Sequence, residues 1–219
     1  MKKKAYISLV IFTLAFTLSM FSCTTTSNIS SVKEKTAEPN QESSKNVHAI
    51  HNVLPDGDIE LLDSFEEGNF WQAEGESYAT DADLTEDWTS EGAVSGLWQF
   101  MSIPQEENAV FYCEGLIDTN WTGAKYFIFD VNNTLSKSIT VQLAIEAGKT
   151  KETTYTEKVT LGSGLNTNVM FSLLNQTTDE NGLQVPGITE ADNIKKAMIV
   201  IYGKALSGEL NIDNIRLIR

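Results

Sequence analysis

The chain of 219 residues holds two cysteines, two histidines and four prolines, and it has no Lys or Arg from Asp56 to Ala124. Two cysteines exclude a disulfide-built scaffold. The histidines, His48 and His51, stand in a polar stretch far from Cys113, so no Cys–His nucleophile can be assembled. Cys113 closes the apolar run Ala109 to Cys113 and is read as a small buried hydrophobe. A formal charge of −14 excludes a polyanionic partner, because nucleic acid or an anionic lipid surface would be repelled. The low proline count and a hydrophobic fraction of 41% exclude a collagen-like or wholly disordered chain and suffice for one sizeable core.

The N-terminus carries what the rest lacks. Lys2, Lys3 and Lys4 precede an apolar run from Ala5 to Phe21, broken only by hydroxyls, which ends at Ser22 and Cys23. The run is short of the ~20 residues that a membrane span needs and has the form of a secretory signal. Met20-Phe21-Ser22-Cys23 resembles the lipobox of a bacterial lipoprotein signal. The resemblance implies a signal peptide over 1–22, a lipid on Cys23 and a place in the bacterial cell envelope, periplasmic or surface-exposed. Residues 23–55 are Ser, Thr, Asn, Lys and Glu with almost no aromatic side chain, the composition of a tether that orders no core. Residues 56–219 then hold 10 basic against 27 acidic residues, an excess of 17 negative charges.

Within 56–219, short runs of Val, Ile, Phe, Tyr and Thr alternate with Gly, Asn, Asp and Ser clusters, the pattern of an all-β domain. Candidate strands are Ile59 to Ser64, Gly96 to Ile103, Ala109 to Leu116, Lys125 to Val131, Ser138 to Ala147, Thr153 to Leu161, Thr167 to Leu173, Ala197 to Tyr202 and Glu209 to Ile218. Ile139, Val141, Leu143 and Ile145 share one face, as do Phe127, Phe129 and Val131, the period of half-buried antiparallel strands. Thr189 to Lys196 alone reads as helical, for about two turns. This predicts a two-sheet antiparallel β-sandwich of jelly-roll type. The last strand carries a phase error: Leu210 and Ile212 have one parity, Ile215 and Leu217 the other. A β-bulge at Asp213-Asn214 would restore the phase.

Three segments carry a family resemblance. Leu61-Leu62-Asp63-Ser64-Phe65-Glu66-Glu67-Gly68 with Trp71 is similar to the opening strand of bacterial carbohydrate-binding modules of the galactose-binding-like jelly-roll group. Asp118 to Val131, with Trp121, Phe129 and Asp130, is similar to their central segment, and Gly208 to Leu217 resembles their closing strand. The nearest pattern is the family-eleven type, whose members bind β-glucans. The resemblance implies a calcium ion tying the first strand to the last, with Glu66 and Asp213 as ligands and Asp63 as a further one; calcium takes oxygen ligands of this kind. The cleft arginine of that type has no counterpart here before Arg216.

A neutral sugar is held by stacking its CH face on an aromatic ring while amides and carboxylates take its hydroxyls. Trp88 stands in a Thr-, Asp- and Glu-rich loop with no apolar neighbours. Trp98 has an ambiguous face beside Phe100, and Tyr126 and Asp130 have parity opposite Phe127, Phe129 and Val131. These four are the expected ligand-binding residues. The expected function is a lipid-anchored, non-catalytic module that binds a neutral polysaccharide, with a structural or protein-interaction lipoprotein, bound to an envelope partner, as the alternative. A jelly-roll glycosidase would need a pair of catalytic carboxylates, and no Glu-x-Asp-x-x-Glu-like strand motif is present.

Overall fold

The computed structural model describes residues 48–174, 177–178, 184–185, 187–203 and 205–219. Cys23, the signal segment and the tether up to position 47 lie outside them. Fourteen strands follow in order: β1 Ile59–Asp63, β2 Gln72–Ala73, β3 Ala79–Thr85, β4 Ser95–Ile103, β5 Asn108–Cys113, β6 Tyr126–Asn133 and β7 Ile139–Ala147. The second half has β8 Glu152–Tyr155, β9 Val159–Leu161, β10 Gly164–Ser172, β11 Thr177–Thr178, β12 Gln184–Val185, β13 Ile194–Tyr202 and β14 Leu206–Ile218. They form two six-stranded sheets and a small β11–β12 ribbon. The first sheet runs β10-β6-β14-β4-β3 with β1 on β14, and the second runs β2-β5-β13-β7-β8 with β9 on β7. The pairings between these strands are antiparallel. The all-β, two-sheet antiparallel sandwich expected from the period is therefore the observed architecture.

Alternate residues from both sheets meet in one core. Val141, Leu143 and Ile145 of β7, Phe111 of β5 and Ile199 and Ile201 of β13 face Phe127 and Phe129 of β6, Phe171 of β10 and Leu210 and Ile212 of β14. Rings fill its width: Trp98 stacks on Phe111 with centroids 4.9 Å apart and planes 9° apart, and Trp71 lies 5.0 Å from Trp98. Such pairs add to stability beyond their buried area. Gly96, two residues before Trp98 in β4, admits this packing, since a Cβ there would stand 2.7 Å from the Phe65 ring.

The phase slip in β14 is resolved as the sequence demands. Asp213 pairs with Asp130 and Arg216 with Ile128, so three steps on β14 oppose two on β6, and Asn214 takes φ = 56°. The bulge returns Ile215 and Leu217 to the core that holds Leu210 and Ile212. A second bulge lies on the other side of β6, where Asn166 pairs with Val131 and Val169 with Phe129 around Asn168 at φ = 53°.

Four sequence expectations differ from the structure. Thr189 to Lys196 is not helical: a turn ends at Asn193, and β13 starts at Ile194 because Ala197, Ile199 and Ile201 share the core face at period two. Thr153 to Leu161 is two strands, broken around Thr156, whose backbone N–H bonds to the Leu143 carbonyl at 2.9 Å. The strand β3 was not expected, because its Asp81 and Asp83 are exposed and leave little apolar signal. The ordered unit also begins before Asp56: Thr167 N–H donates to the Ile50 carbonyl at 2.7 Å and Asn52 N–H to the Thr167 carbonyl at 3.2 Å.

The left-handed backbone at the β14 bulge generates a test. Asn214→Val is expected to unfold at lower denaturant than Asn214→Gly, by about 1–2 kcal/mol, because both lose the amide but only Val has a Cβ to strain at positive φ. Equal stabilities in chemical denaturation would show that the bulge is absent.

Candidate functional site

The outer face of the second sheet is where the sequence places side chains that the core does not use. On β13, Met198, Val200 and Tyr202 alternate with the core residues Ala197, Ile199 and Ile201. Register then makes rows: Tyr155 of β8, Ala144 of β7, Met198 of β13, Tyr112 of β5 and Gln72 of β2 stand opposite one another in sequence across five strands. Beside this row lie Gln142, Val200 and Val110, and beyond them Thr140, Tyr202 and Asn108. The outcome is a groove of about 580 Å³ with a floor of Val110, Ala144, Met198 and Val200, which are buried. Tyr112, Tyr155 and Tyr202 are half-buried around that floor. Its volume lies in the range of small-ligand clefts, about 300–1,000 Å³.

The polar groups of the groove are held in place. Tyr202 donates its hydroxyl proton to Gln142 Oε1 at 2.6 Å, and Gln142 Nε2 donates to the Thr156 carbonyl at 2.6 Å. Burial, then the neighbouring Tyr155 phenol, pushes the Tyr202 hydroxyl above its ordinary value, so it stays a neutral donor. Tyr112 donates to Gln72 Oε1 at 2.9 Å. Two ammonium groups rest on ring faces: Lys158 Nζ is 3.7 Å from the Tyr202 centroid and Lys196 Nζ is 4.0 Å from that of Tyr112. Glu74, Glu146 and Lys158 are the charged residues lining the groove. An apolar floor, tyrosine rings and fixed amide and hydroxyl groups suit a ligand with apolar CH faces and many hydroxyls.

The four residues expected to bind ligand are not brought together here. Trp98 is wholly buried between the sheets and cannot stack on a sugar; its parity with Gly96 and Phe100 places it in the core. Trp88 is half-buried in the β3–β4 loop, where its carbonyl accepts from Ser95 Oγ. Asp130 is on the other sheet and buried: Asn168 N–H donates to Oδ1 at 2.7 Å, and Arg216 Nη2 and Asn214 Nδ2 donate to Oδ2 at 3.2 and 3.4 Å. Tyr126 is half-buried on that same strand, β6. None of the four lines the groove. Tyr112, Met198 and Tyr202 were signalled by parity opposite the core residues of their own strands; which strands neighbour which was not.

The three acids assigned to calcium are engaged by donors. Asp213 Oδ2 accepts from Ser90 N–H at 2.7 Å, Ser90 Oγ at 3.0 Å and Glu91 N–H at 3.0 Å, and Oδ1 accepts from Asn214 N–H at 2.7 Å. Glu66 Oε1 accepts from Ala93 N–H at 2.7 Å and Val94 N–H at 2.9 Å. Asp63 accepts from Phe65 N–H at 2.7 Å and from the Trp71 indole at 3.1 Å. Each of the three acids thus accepts hydrogen bonds, and among the described residues no group of three His, Cys, Asp or Glu side chains converges. Together they clamp the loop around Ser90–Val94 to β14 and the end of β1.

The fold has solved counterparts. The chain is similar to the family 11 carbohydrate-binding module from Clostridium thermocellum in complex with a β-1,3-1,4-mixed-linked tetrasaccharide, at 19% identity and a TM-score of 0.51 over 73% of this chain and 95% of that one. It is similar to the non-crystalline cellulose specific carbohydrate-binding module CBM28, at 16% identity and a TM-score of 0.55, over 77% of this chain and all of the other, 100%. It is also similar to part of an agarase, at 14% identity and a TM-score of 0.52, over 74% of this chain and 24% of that one. No family model matches the chain and no curated protein does. At such identities the likeness shows a shared jelly-roll fold.

The loop clamp generates a test by thermal melting. Burial pushes the Asp63 carboxyl above its ordinary value, so its proton favours the fold at low pH. The N–H groups of Val94 and Ala93 hold Glu66 below its ordinary 4.5, so its contribution is complete above that pH and is lost as pH falls through the lower folded value. Glu66→Gln is expected to flatten the fall in Tm below about pH 4.5. The calcium ion that the resemblance implies would raise Tm by several degrees over the same protein in chelator; coincident curves would show these acids to be hydrogen-bond acceptors alone.

Proposed function

We propose that the chain is a lipid-anchored, non-catalytic envelope protein whose sandwich binds a neutral polysaccharide in the groove on the second sheet. The observation that carries the reading is the groove itself, an apolar floor of Val110, Ala144, Met198 and Val200 set between Tyr155 and Tyr202 and open to solvent. Solved structures of the same fold include modules whose names state carbohydrate binding, one of them holding a mixed-linked tetrasaccharide. The excess of acidic residues favours a neutral chain over an acidic one. The anchor reading rests on Ser22-Cys23 after the apolar run, and residues 23–47 supply a polar tether.

Affinity electrophoresis in β-1,3-1,4-glucan gels tests the groove. Tyr202→Ala and Tyr155→Ala are each expected to weaken retardation by about 1–3 kcal/mol, by analogy with aromatic stacking on bases. A loss confined to Trp88→Ala would move the site to the β3–β4 loop. Absence of retardation by any neutral glycan would favour the protein-interaction alternative, whose binding through an acidic face should fade as salt rises. For the anchor, Cys23→Ala is expected to leave the membrane fraction, since one lipid chain site is all the sequence offers; tight membrane association of that variant would place the anchor elsewhere.

A further inference from the structure

Of the two lysine-capped rings on this face, one cap is fixed, and the other, over the ring that lines the groove, is free to leave. Lys196, on the face of Tyr112, is held by Glu114 at 3.8 Å and its side chain is only 14% exposed. Lys158 follows β8 in an exposed segment, and among the described residues no carboxylate lies within ion-pair distance of it. In a domain with 27 acids against 10 bases, an ammonium at the surface has many carboxylates to choose from, yet this one sits 3.7 Å from the Tyr202 centroid. Tyr202 cannot turn to escape it, because Gln142 holds the hydroxyl and Thr156 holds Gln142. The lysine is therefore the movable part of the pair.

We propose that Lys158 is a specificity-determining gate of the groove: its ammonium occupies the face of Tyr202 on which a neutral sugar would stack, and it must swing off before that ring contributes to binding. The inference rests on the glycan-binding reading above and goes beyond it by naming a residue that opposes the ligand. An exposed ammonium–ring contact is modest, so the gate weakens binding without abolishing it. Its cost falls only on a ligand long enough to reach Tyr202, which must displace the lysine to use the ring; a ligand that ends short of Tyr202 leaves the cap in place, so the gate narrows the advantage of the longer ligand.

NMR of the full chain in detergent tests the gate with and without ligand. In the free protein the Lys158 Cε protons are expected upfield of ordinary lysine positions, shifted by the Tyr202 ring, and Tyr202→Leu is expected to return them. With the β-1,3-1,4-mixed-linked tetrasaccharide as probe, they are expected to move to ordinary positions as binding proceeds. Lys158→Ala is expected to bind it about two- to fivefold more tightly, and Lys158→Arg, which also covers a ring, as wild type does. Ordinary Lys158 shifts in the free protein, or equal or weaker binding by Lys158→Ala, would overturn the gate. Binding that is absent from both proteins would instead overturn the glycan reading, and with it a gating role, while the free-protein shifts still report whether the cap exists.

Discussion

Strand β14 runs thirteen residues through the middle of its sheet, pairing with β6 on one side and with β4 and then β1 on the other. Period two alone would turn half of its apolar residues into water. One extra residue at Asn214 removes that conflict, and much else follows from it. Leu210, Ile212, Ile215 and Leu217 all reach one core. The bend brings Asp213 against the backbone of Ser90 and Glu91, so a long loop is closed by a buried carboxylate accepting N–H and O–H donors. It also aims Asn214 and Arg216 at Asp130.

The same bulge helps to explain why the two outer faces differ. On the first sheet, polar side chains satisfy one another: Arg216 with Asp130 and Asn168, Asn132 with Asn211, Gln99 with Glu209. With these side chains paired, Arg216 Nε excepted, this face has little left for a ligand's hydroxyls. On the second sheet, the floor consists of Ala144, Met198, Val110 and Val200, short or flexible side chains that leave room above them, while the polar groups sit at the rim. Space, rings and fixed polar groups coincide there.

The sandwich and the bulge were legible because both are written in parity along single strands. Ile139 to Ile145 and Phe127 to Val131 announce their faces, and the slip between Ile212 and Ile215 admits one remedy. The groove is a property of register across strands, which no single strand carries. Tyr112, Met198 and Tyr155 are far apart in the chain and become one row only after β5, β13, β7 and β8 are ordered. Trp98 misled because it faces away from Leu97 beside Phe100, which leaves its face ambiguous along β4 alone; the Phe65 ring that packs over Gly96 on its side comes from a distant turn. Asp130 misled for a related reason, since its outward parity was right and its partners on β10 and β14 were invisible.

On the proposed reading, ligand meets the second sheet. Backbone amide shifts of the labelled chain, followed while the β-1,3-1,4-mixed-linked tetrasaccharide is added, locate the contact without any mutation. The shifts of Tyr112, Ala144, Tyr155, Met198, Val200 and Tyr202 are expected to move together while those of Gln99, Asn132 and Asn211 stay still. Shifts confined to the β3–β4 loop around Trp88 or to β6 around Tyr126 and Asp130, with the groove silent, would contradict it.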